Sequence, residues 1–119
     1  MPSSLSGQNN QLTGTIPTEL GKLTKMTDDF GLSSNKLRGT IPTELGMLTK
    51  LCNDFQLQGN QLTGTIPDVL GKLTNLGAES EDLEANDSDF LLGGNDLVSY
   101  FSYWPLSRTS AVSCTLPLF

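Results

Sequence analysis

A 17-residue pattern returns along this chain at a fixed spacing, and it limits the possible folds more than any other feature. Its first copy, NQLTGTIPTELGKLTKM, spans residues 10–26, and copies follow at 35–51 and 60–76. Each copy begins 25 residues after the one before it. Self-similarity with a period of this size is typical of proteins in which every repeat forms one coil of a stack. We therefore expect a stack of coils rather than a globule with one closed core.

Pairs of apolar residues with one residue between them stand ahead of the Asn that opens each later copy. The pairs are Phe30 with Leu32, Phe55 with Leu57 and Phe90 with Leu92, and Leu5 with Gly7 is a degraded pair before the first copy. Side chains two positions apart on a strand point to the same face. Each pair therefore predicts a short strand of a parallel sheet, with its apolar side chains in the core.

The Asn after each strand has an amide that both donates and accepts hydrogen bonds. It can bond to main-chain groups of its own bend and of the neighbouring coil, which would otherwise be buried without partners. We expect a structural column of Asn10, Asn35, Asn60 and Asn95.

Glycine and proline mark the turns within each copy. A glycine permits a tight turn, and the Ile-Pro after it favours an extended segment in a new direction. These turn glycines are Gly14, Gly39 and Gly64. The residues TELG or DVLG then predict one short helical turn that ends at its glycine. Those terminal glycines are Gly21, Gly46 and Gly71.

The pattern Asn-x-Leu-x-Gly-x-Ile-Pro-x-x-Leu-Gly-x-Leu-x-x-Leu closely resembles the plant-type leucine-rich repeat of receptor-like kinases and receptor-like proteins. The wording GTIPTELG is similar to algal, diatom-type members. The resemblance implies a right-handed α/β solenoid of about four repeats, with short parallel strands on its concave face and 3-10 or short helical turns on its convex side. We assign residues 1–97 to the repeats, with units near 5–29, 30–54, 55–89 and 90–99.

Two segments do not fit the repeat. Residues 77–89 replace three residues of the earlier repeats, and six of these 13 residues are acidic. We expect them to loop out of the solenoid, as a solvated spacer or as a recognition loop. They contain the sequon Asn86-Asp87-Ser88, a possible glycosylation site. Residues 98–119 match no repeat, and we expect an aromatic and Ser/Thr-rich tail or cap over the end of the core.

The resemblance implies that ligands bind the concave face, where the residues that alternate with the core pairs point outward. The expected ligand-binding residues are Asp29, Gly31, Ser33, Asp54, Gln56, Gln58, Asp89 and Leu91. The three aspartates would stack at the strand spacing of about 4.8 Å. A basic partner side chain or Ca²⁺ would relieve their repulsion, although a merely solvated acidic edge is the alternative.

Composition restricts the function further. The chain has no histidine and a net charge of −6, which disfavours acid–base catalysis and nucleic-acid binding. We find no nucleophile–base pair, phosphate-binding glycine loop or metal-spaced cluster, so we expect no catalysis, no cofactor and no metal. No apolar run is long enough to insert into a membrane. We expect Cys52 to be buried as a small apolar residue rather than paired with Cys114.

We interpret the chain as a non-catalytic module that binds a protein or peptide, with a basic one favoured, and as a fragment of a receptor-like ectodomain. The resemblance implies an extracellular or cell-surface location. The alternative is a structural or adhesive repeat protein of the surface or matrix, including one that binds ice or a polysaccharide. A periodic target needs the same outward residue on every coil. The aspartates are identical on every coil, as a periodic target would need, whereas the columns Gly31/Gln56/Leu91 and Ser33/Gln58/Gly93 vary. The two observations point in opposite directions and on balance slightly favour the receptor-like interpretation. Open ends of the stack would favour self-association.

Overall fold

A computed structural model describes residues 3–76 and 90–98 of the chain. Residues 77–89, with the sequon at Asn86 and the third aspartate, Asp89, lie outside the described residues. The predicted C-terminal tail lies outside them as well, apart from Val98. Within the described ranges, no helix is long and apolar enough to cross a membrane.

One short strand opens each coil, and the four strands form a parallel sheet, which we call the first sheet. Its strands are β1 (Leu5–Ser6), β3 (Phe30–Gly31), β5 (Phe55–Gln56) and β7 (Phe90–Leu91), in that order across the sheet. Leu5, Phe30, Phe55 and Phe90 are paired in one row, so neighbouring coils are in register. The prediction of short parallel strands in a leucine-rich-repeat solenoid is confirmed.

A second parallel sheet follows the Asn of each coil, and the sequence did not predict it. Its strands are β2 (Thr13–Gly14), β4 (Lys36–Gly39), β6 (Gln61–Thr65) and β8 (Asp96–Val98). The turn glycines end β2 and β4 and lie within β6, with φ of 84° at Gly14, 85° at Gly39 and 83° at Gly64. Strand β8 ends at Val98, within the last repeat unit near 90–99.

A 3-10 helix follows the proline of each of the first three coils. These helices are η1 (Thr18–Lys22), η2 (Thr43–Met47) and η3 (Asp68–Lys72). None has a side-chain N-cap hydrogen bond. The prediction that the turns end at Gly21, Gly46 and Gly71 is wrong, because each helix continues one residue further.

Close packing of successive helices explains two of these glycines better than a helix end does. A Cβ atom on Gly21 would lie 2.5 Å from the main-chain oxygen of Glu44 in the next coil. A Cβ atom on Gly46 would lie 2.8 Å from the oxygen of Val69. Only glycine lets helices η1, η2 and η3 approach one another this closely.

The core lies between the two sheets and the helices and continues from coil to coil. The rings of Phe30 and Phe55 stack with centroids 5.1 Å apart. Leucines of the second and third coils, among them Leu45 and Leu70, are fully buried. Each such side chain contributes about 1.5–3 kcal/mol through its burial. Stacking supplies this burial, since one coil cannot cover its own apolar side chains.

Cys52 is buried, with 5% of its surface exposed, as expected. Its sulfur is disulfide-bonded. The prediction of an unpaired cysteine at this position is therefore wrong.

Candidate functional site

The concave face is the side of the first sheet that points away from the core. The strand register places Gly31 beside Gln56 in the middle of this face. Main-chain hydrogen bonds continue the same pairing on both sides, from Phe30 to Asp54 and from Ser34 to Gln58. The six predicted ligand-binding residues of the second and third coils therefore lie on two adjacent strands or within two residues of their ends. Of the other two, Asp89 lies outside the described residues. The main chain of Leu91 belongs to β7, where it is paired with Gln56.

Burial differs among these six residues. Asp29, Asp54, Gln56 and Gln58 are half-buried. Ser33 is 6% exposed, so it offers a ligand less surface than its position in the sequence suggested. The face therefore presents mainly the carboxylates and carboxamides of four long or acidic side chains.

A hydrogen bond orients one of these carboxamides. Gln56 donates from Nε2 to Oδ2 of Asp54 at 3.2 Å. An ionised carboxylate can only accept hydrogen bonds, so the amide nitrogen must face Asp54. The side-chain oxygen of Gln56 is thereby turned away from Asp54.

The asparagines hold the scaffold beneath this face. Asn60 donates from Nδ2 to the oxygens of Leu57 in its own coil, at 3.1 Å, and of Leu32 in the preceding coil, at 2.9 Å. Its Oδ1 accepts a hydrogen bond from the main-chain nitrogen of Leu37 at 3.1 Å. The side chain of Asn60 thus connects two coils through three hydrogen bonds to main-chain groups.

Asn35 and Asn95 repeat this arrangement. Asn35 donates to Gly7 of the preceding coil at 2.9 Å, and its Oδ1 accepts from Leu12 at 3.1 Å. Asn95 donates to Leu57 at 2.8 Å. Asn10 differs, because its exposed side chain donates to main-chain oxygens of its own bend, those of Gly7 and Gln8. Its main-chain nitrogen donates to Oδ1 of Asn35 at 3.2 Å. These contacts give the buried asparagines a structural role.

Positive charge lies away from the concave face throughout the described part of the chain. Lys36 and Arg38 belong to strand β4 of the second sheet, and Lys22 and Lys72 end helices η1 and η3. The other basic residues described there are Lys25 and Lys50, which follow helices η1 and η2. The concave face thus carries the carboxylates of Asp29 and Asp54.

The helix side has one perturbed carboxyl group. A hydrogen bond from the Thr18 hydroxyl, 2.9 Å long, lowers the pKa of Glu19, and Lys22 adds to the effect. The group is fully exposed and lies in the first turn of helix η1. It bears on the charge of helix η1 rather than on the candidate site.

No three His, Cys, Asp or Glu residues within 3–76 and 90–98 are grouped to hold a metal ion. The calcium alternative depends on three stacked aspartates, and the third, Asp89, lies outside these ranges. It stays a prediction.

Sequence reasoning missed one residue of this face, Gln8. Its place before Asn10 matches that of Gln58 before Asn60, two residues earlier in each case. The degraded first repeat hid it, since Leu5 and Gly7 do not form an apolar pair. Aligning the repeats on their asparagines, instead of on the apolar pairs, would have identified Gln8.

Comparisons with known proteins agree with this architecture. A family model described as Leucine Rich Repeat matches residues 53–73. Among curated protein sequences, none matches the chain significantly.

Solved structures of plant receptor ectodomains are similar to it. The ectodomain of the membrane receptor kinase GASSHO1/SCHENGEN3 from Arabidopsis thaliana, in complex with CASPARIAN STRIP INTEGRITY FACTOR 2, has 35% identity over 85% of this chain and a TM-score of 0.68. A chain of the BIR3–SERK2 complex from the same plant has 34% identity over 79% and a TM-score of 0.58. The BIR2 ectodomain from that plant has 29% identity over 75% and a TM-score of 0.57.

This chain spans only part of each of those proteins, namely 11% of GASSHO1/SCHENGEN3, 43% of the chain from the BIR3–SERK2 complex and 53% of BIR2. None of these matches tests the algal resemblance, which stays a prediction. The 25-residue repeats, the two parallel sheets, the Leucine Rich Repeat match and the similarity to plant receptor ectodomains identify the chain as a leucine-rich-repeat protein of the plant type.

Proposed function

We propose that this chain is a non-catalytic binding module that recognises a protein or peptide through its concave face, as part of a longer receptor-like ectodomain. The proposal rests on the composition of the concave face. It displays half-buried acids and amides on a sheet that the asparagine column holds in register. Two of the similar structures are complexes, one with a second protein and one with CASPARIAN STRIP INTEGRITY FACTOR 2. An extracellular location is part of the same proposal.

The charge of the face favours a basic partner. Asp29 and Asp54 immediately precede the neighbouring strands β3 and β5, and neighbouring strands are about 4.8 Å apart. The described basic residues lie on the second sheet and in or near the helices. A lysine or arginine of the partner would be attracted to the Asp29 carboxylate and would orient the complex.

A charge reversal on each side of the molecule tests the proposal. Peptides that bind the chain are first selected from a random pool displayed on phage. Their affinity is then measured for Asp29→Lys, on the concave face, and for the control Glu44→Lys, on helix η2. We expect Asp29→Lys to weaken binding about tenfold, the effect of losing roughly 1.4 kcal/mol. Glu44→Lys should leave the affinity unchanged.

Loss of binding with Glu44→Lys but not with Asp29→Lys would place the ligand on the helix side and contradict the proposal. Failure to select any peptide that is sensitive to Asp29→Lys would also contradict it. Circular dichroism of both variants would establish that they retain the fold.

One observation favours the adhesive alternative as a second candidate. The residue after the turn glycine is an exposed threonine in three successive coils, at Thr15, Thr40 and Thr65. Identical side chains at the strand spacing suit a periodic solid such as a polysaccharide fibre. Co-sedimentation with insoluble cellulose or chitin tests this function. Thr40→Lys should then abolish binding, whereas Asp29→Lys should not.

A further inference from the structure

The outer face of the second sheet carries two basic side chains on one of its inner strands. Lys36 and Arg38 are exposed on β4, and Leu37 is buried between them. Residues two apart on a strand point to the same side, and these two are about 6.6 Å apart along it. Neither side chain has an ion pair or a hydrogen-bond partner among the described residues. We call Lys36 and Arg38 the basic pair.

Uncharged polar side chains flank the basic pair. Thr13 of β2 is paired with Lys36, and Gln61 of β6 is paired with Arg38. The one carboxylate on the four described strands of this sheet is Asp96 of β8, two strands away from β4. Positive charge therefore prevails on strand β4, in a chain whose net charge is −6.

A column of exposed threonines, formed by Thr15, Thr40 and Thr65, borders the basic pair along the stack. A Cβ atom added to Gly39 would lie 3.0 Å from Cγ2 of Thr15, and one added to Gly64 would lie 3.0 Å from Cγ2 of Thr40. The methyl groups of these two threonines therefore pack on the glycine of the next coil, which restricts their rotamers. None of the three hydroxyls is hydrogen-bonded to another described residue, so they remain open to a ligand.

A ligand that fits this face must bring negative charge to the basic pair and hydrogen-bonding groups to the threonines. The guanidinium of arginine can bond to a carboxylate through two parallel hydrogen bonds. Threonine hydroxyls and glutamine amides both donate and accept hydrogen bonds, and so do the hydroxyls of sugars. A peptide binds chiefly through large anchors in pockets, but the exposed side chains of β2, β4 and β6 are all polar. The face therefore fits an acidic sugar polymer better than an acidic peptide.

We propose that the outer face of the second sheet binds a polysaccharide that carries carboxylate groups. The polymer lies along the threonine column, across the strands, and its carboxylates pair with Lys36 and Arg38. This site goes beyond the concave face, because it is a separate surface with a separate class of ligand. It also differs from adhesion to cellulose or chitin, because those polymers are not acidic.

The test titrates the isotope-labelled full chain with polygalacturonate and follows the binding by NMR. Methyl-esterified polygalacturonate is the matched probe without charge, and poly-L-glutamate is the acidic probe without sugar hydroxyls. We expect polygalacturonate to cause saturable shifts of the amides of residues 36–40 and 61–65. Each of the other two polymers should bind at least about tenfold more weakly.

Two double variants separate the basic pair from the net charge of the chain. Lys36→Gln combined with Arg38→Gln should weaken the binding of polygalacturonate at least about tenfold. Lys22→Gln combined with Lys72→Gln removes the same charge from the ends of helices η1 and η3. This control should bind polygalacturonate as the unaltered chain does.

A single variant tests the threonine column. Thr40→Val removes the hydroxyl and keeps a methyl group against Gly64, so the fold should be retained. We expect it to bind polygalacturonate about fivefold more weakly, the effect of one neutral hydrogen bond. Thr49→Val is the control, because it removes an exposed hydroxyl that follows helix η2. Its affinity should be unchanged.

Equal binding of polygalacturonate and its methyl ester would overturn the proposal, as would no binding of either polymer. Equal losses in the two double variants would overturn it as well, because net charge would then explain the affinity. If poly-L-glutamate binds as tightly as polygalacturonate, the face takes an acidic peptide and the proposal is wrong. Peptide binding to the concave face is measured with other variants, so the proposed function stands or fails independently.

Discussion

Asparagine amides connect the coils of this molecule at the scale of single residues. An amide has two donors and an acceptor on one short side chain, so the buried asparagines bond to two coils at once. Their role could be predicted from sequence, because Asn recurs with the repeat and main-chain groups in a bend need partners. The backbone conformation of the residue just before each asparagine could not be predicted from the sequence. That position has positive φ in every coil, with 58° at Asn9, 56° at Ser34, 73° at Gly59 and 66° at Gly94. Only two of these four residues are the glycine that would have signalled it.

Asn60→Ala tests the asparagine column. The substitution leaves the main-chain oxygen of Leu32 and the nitrogen of Leu37 without their side-chain partner in a buried place. We expect the free energy of unfolding to fall by at least about 2 kcal/mol. The control Asn10→Ala removes only exposed bonds within one bend, so its cost should stay below about 1 kcal/mol. Urea unfolding of both variants measures this, and equal costs would show that the column does not join coils.

At the scale of secondary-structure elements, the second sheet and the helix glycines depend on contacts between coils. The sequence of a single repeat does not show these contacts. Strand β6 alternates exposed and buried positions around Leu62, yet its pairing partners lie one coil away on each side. Gly64 lies within this strand, but in the sequence it predicted only a turn, so the strand was missed. At Gly46, the rule that glycine ends helices predicted the wrong boundary. The residue is there because Val69 of the next coil approaches it.

Gly46→Ala therefore tests the packing of helix η2 against η3. The added methyl group meets main-chain and side-chain atoms of Val69 at 2.8 Å, so the two helices must separate. We expect a loss of about 1–3 kcal/mol in the free energy of unfolding. Gly93→Ala is the control, because a Cβ atom there has no neighbour within 4 Å. Its effect should stay within about 0.5 kcal/mol. A neutral Gly46→Ala would mean that the helices do not pack closely.

The repeat period predicted most of the architecture at the scale of the whole molecule, because stacked coils have one way to share a core. The ligand surface was harder to predict. In the sequence, Gly31 indicated only a position without a side chain. The side-chain oxygens of Gln8 and Gln56 lie near it because these residues belong to the two neighbouring coils. Alternation along a strand can predict which residues share a face. It cannot predict which side chains lean toward one another.

The first coil exposes apolar surface that the later coils bury. Leu12 is 42% exposed, whereas its counterparts are 4% exposed at Leu37 and 0% at Leu62. We predict that the 119-residue polypeptide self-associates through this coil. Leu12→Lys should raise the dimer dissociation constant about tenfold, as measured by sedimentation equilibrium. The control Met47→Lys replaces a residue that is 58% exposed on helix η2 and should have no effect. A monomer at every concentration, or equal effects of both variants, would contradict this prediction.

The central claim is that the concave face of the first sheet binds the partner. An NMR shift map of the isotope-labelled chain with a pool-selected peptide tests it most directly. We predict that the amides of residues 4–8, 29–33 and 54–58 shift on binding, whereas those of 36–40 and 61–65 in the second sheet do not. Shifts confined to the second sheet or to the helices would contradict the claim.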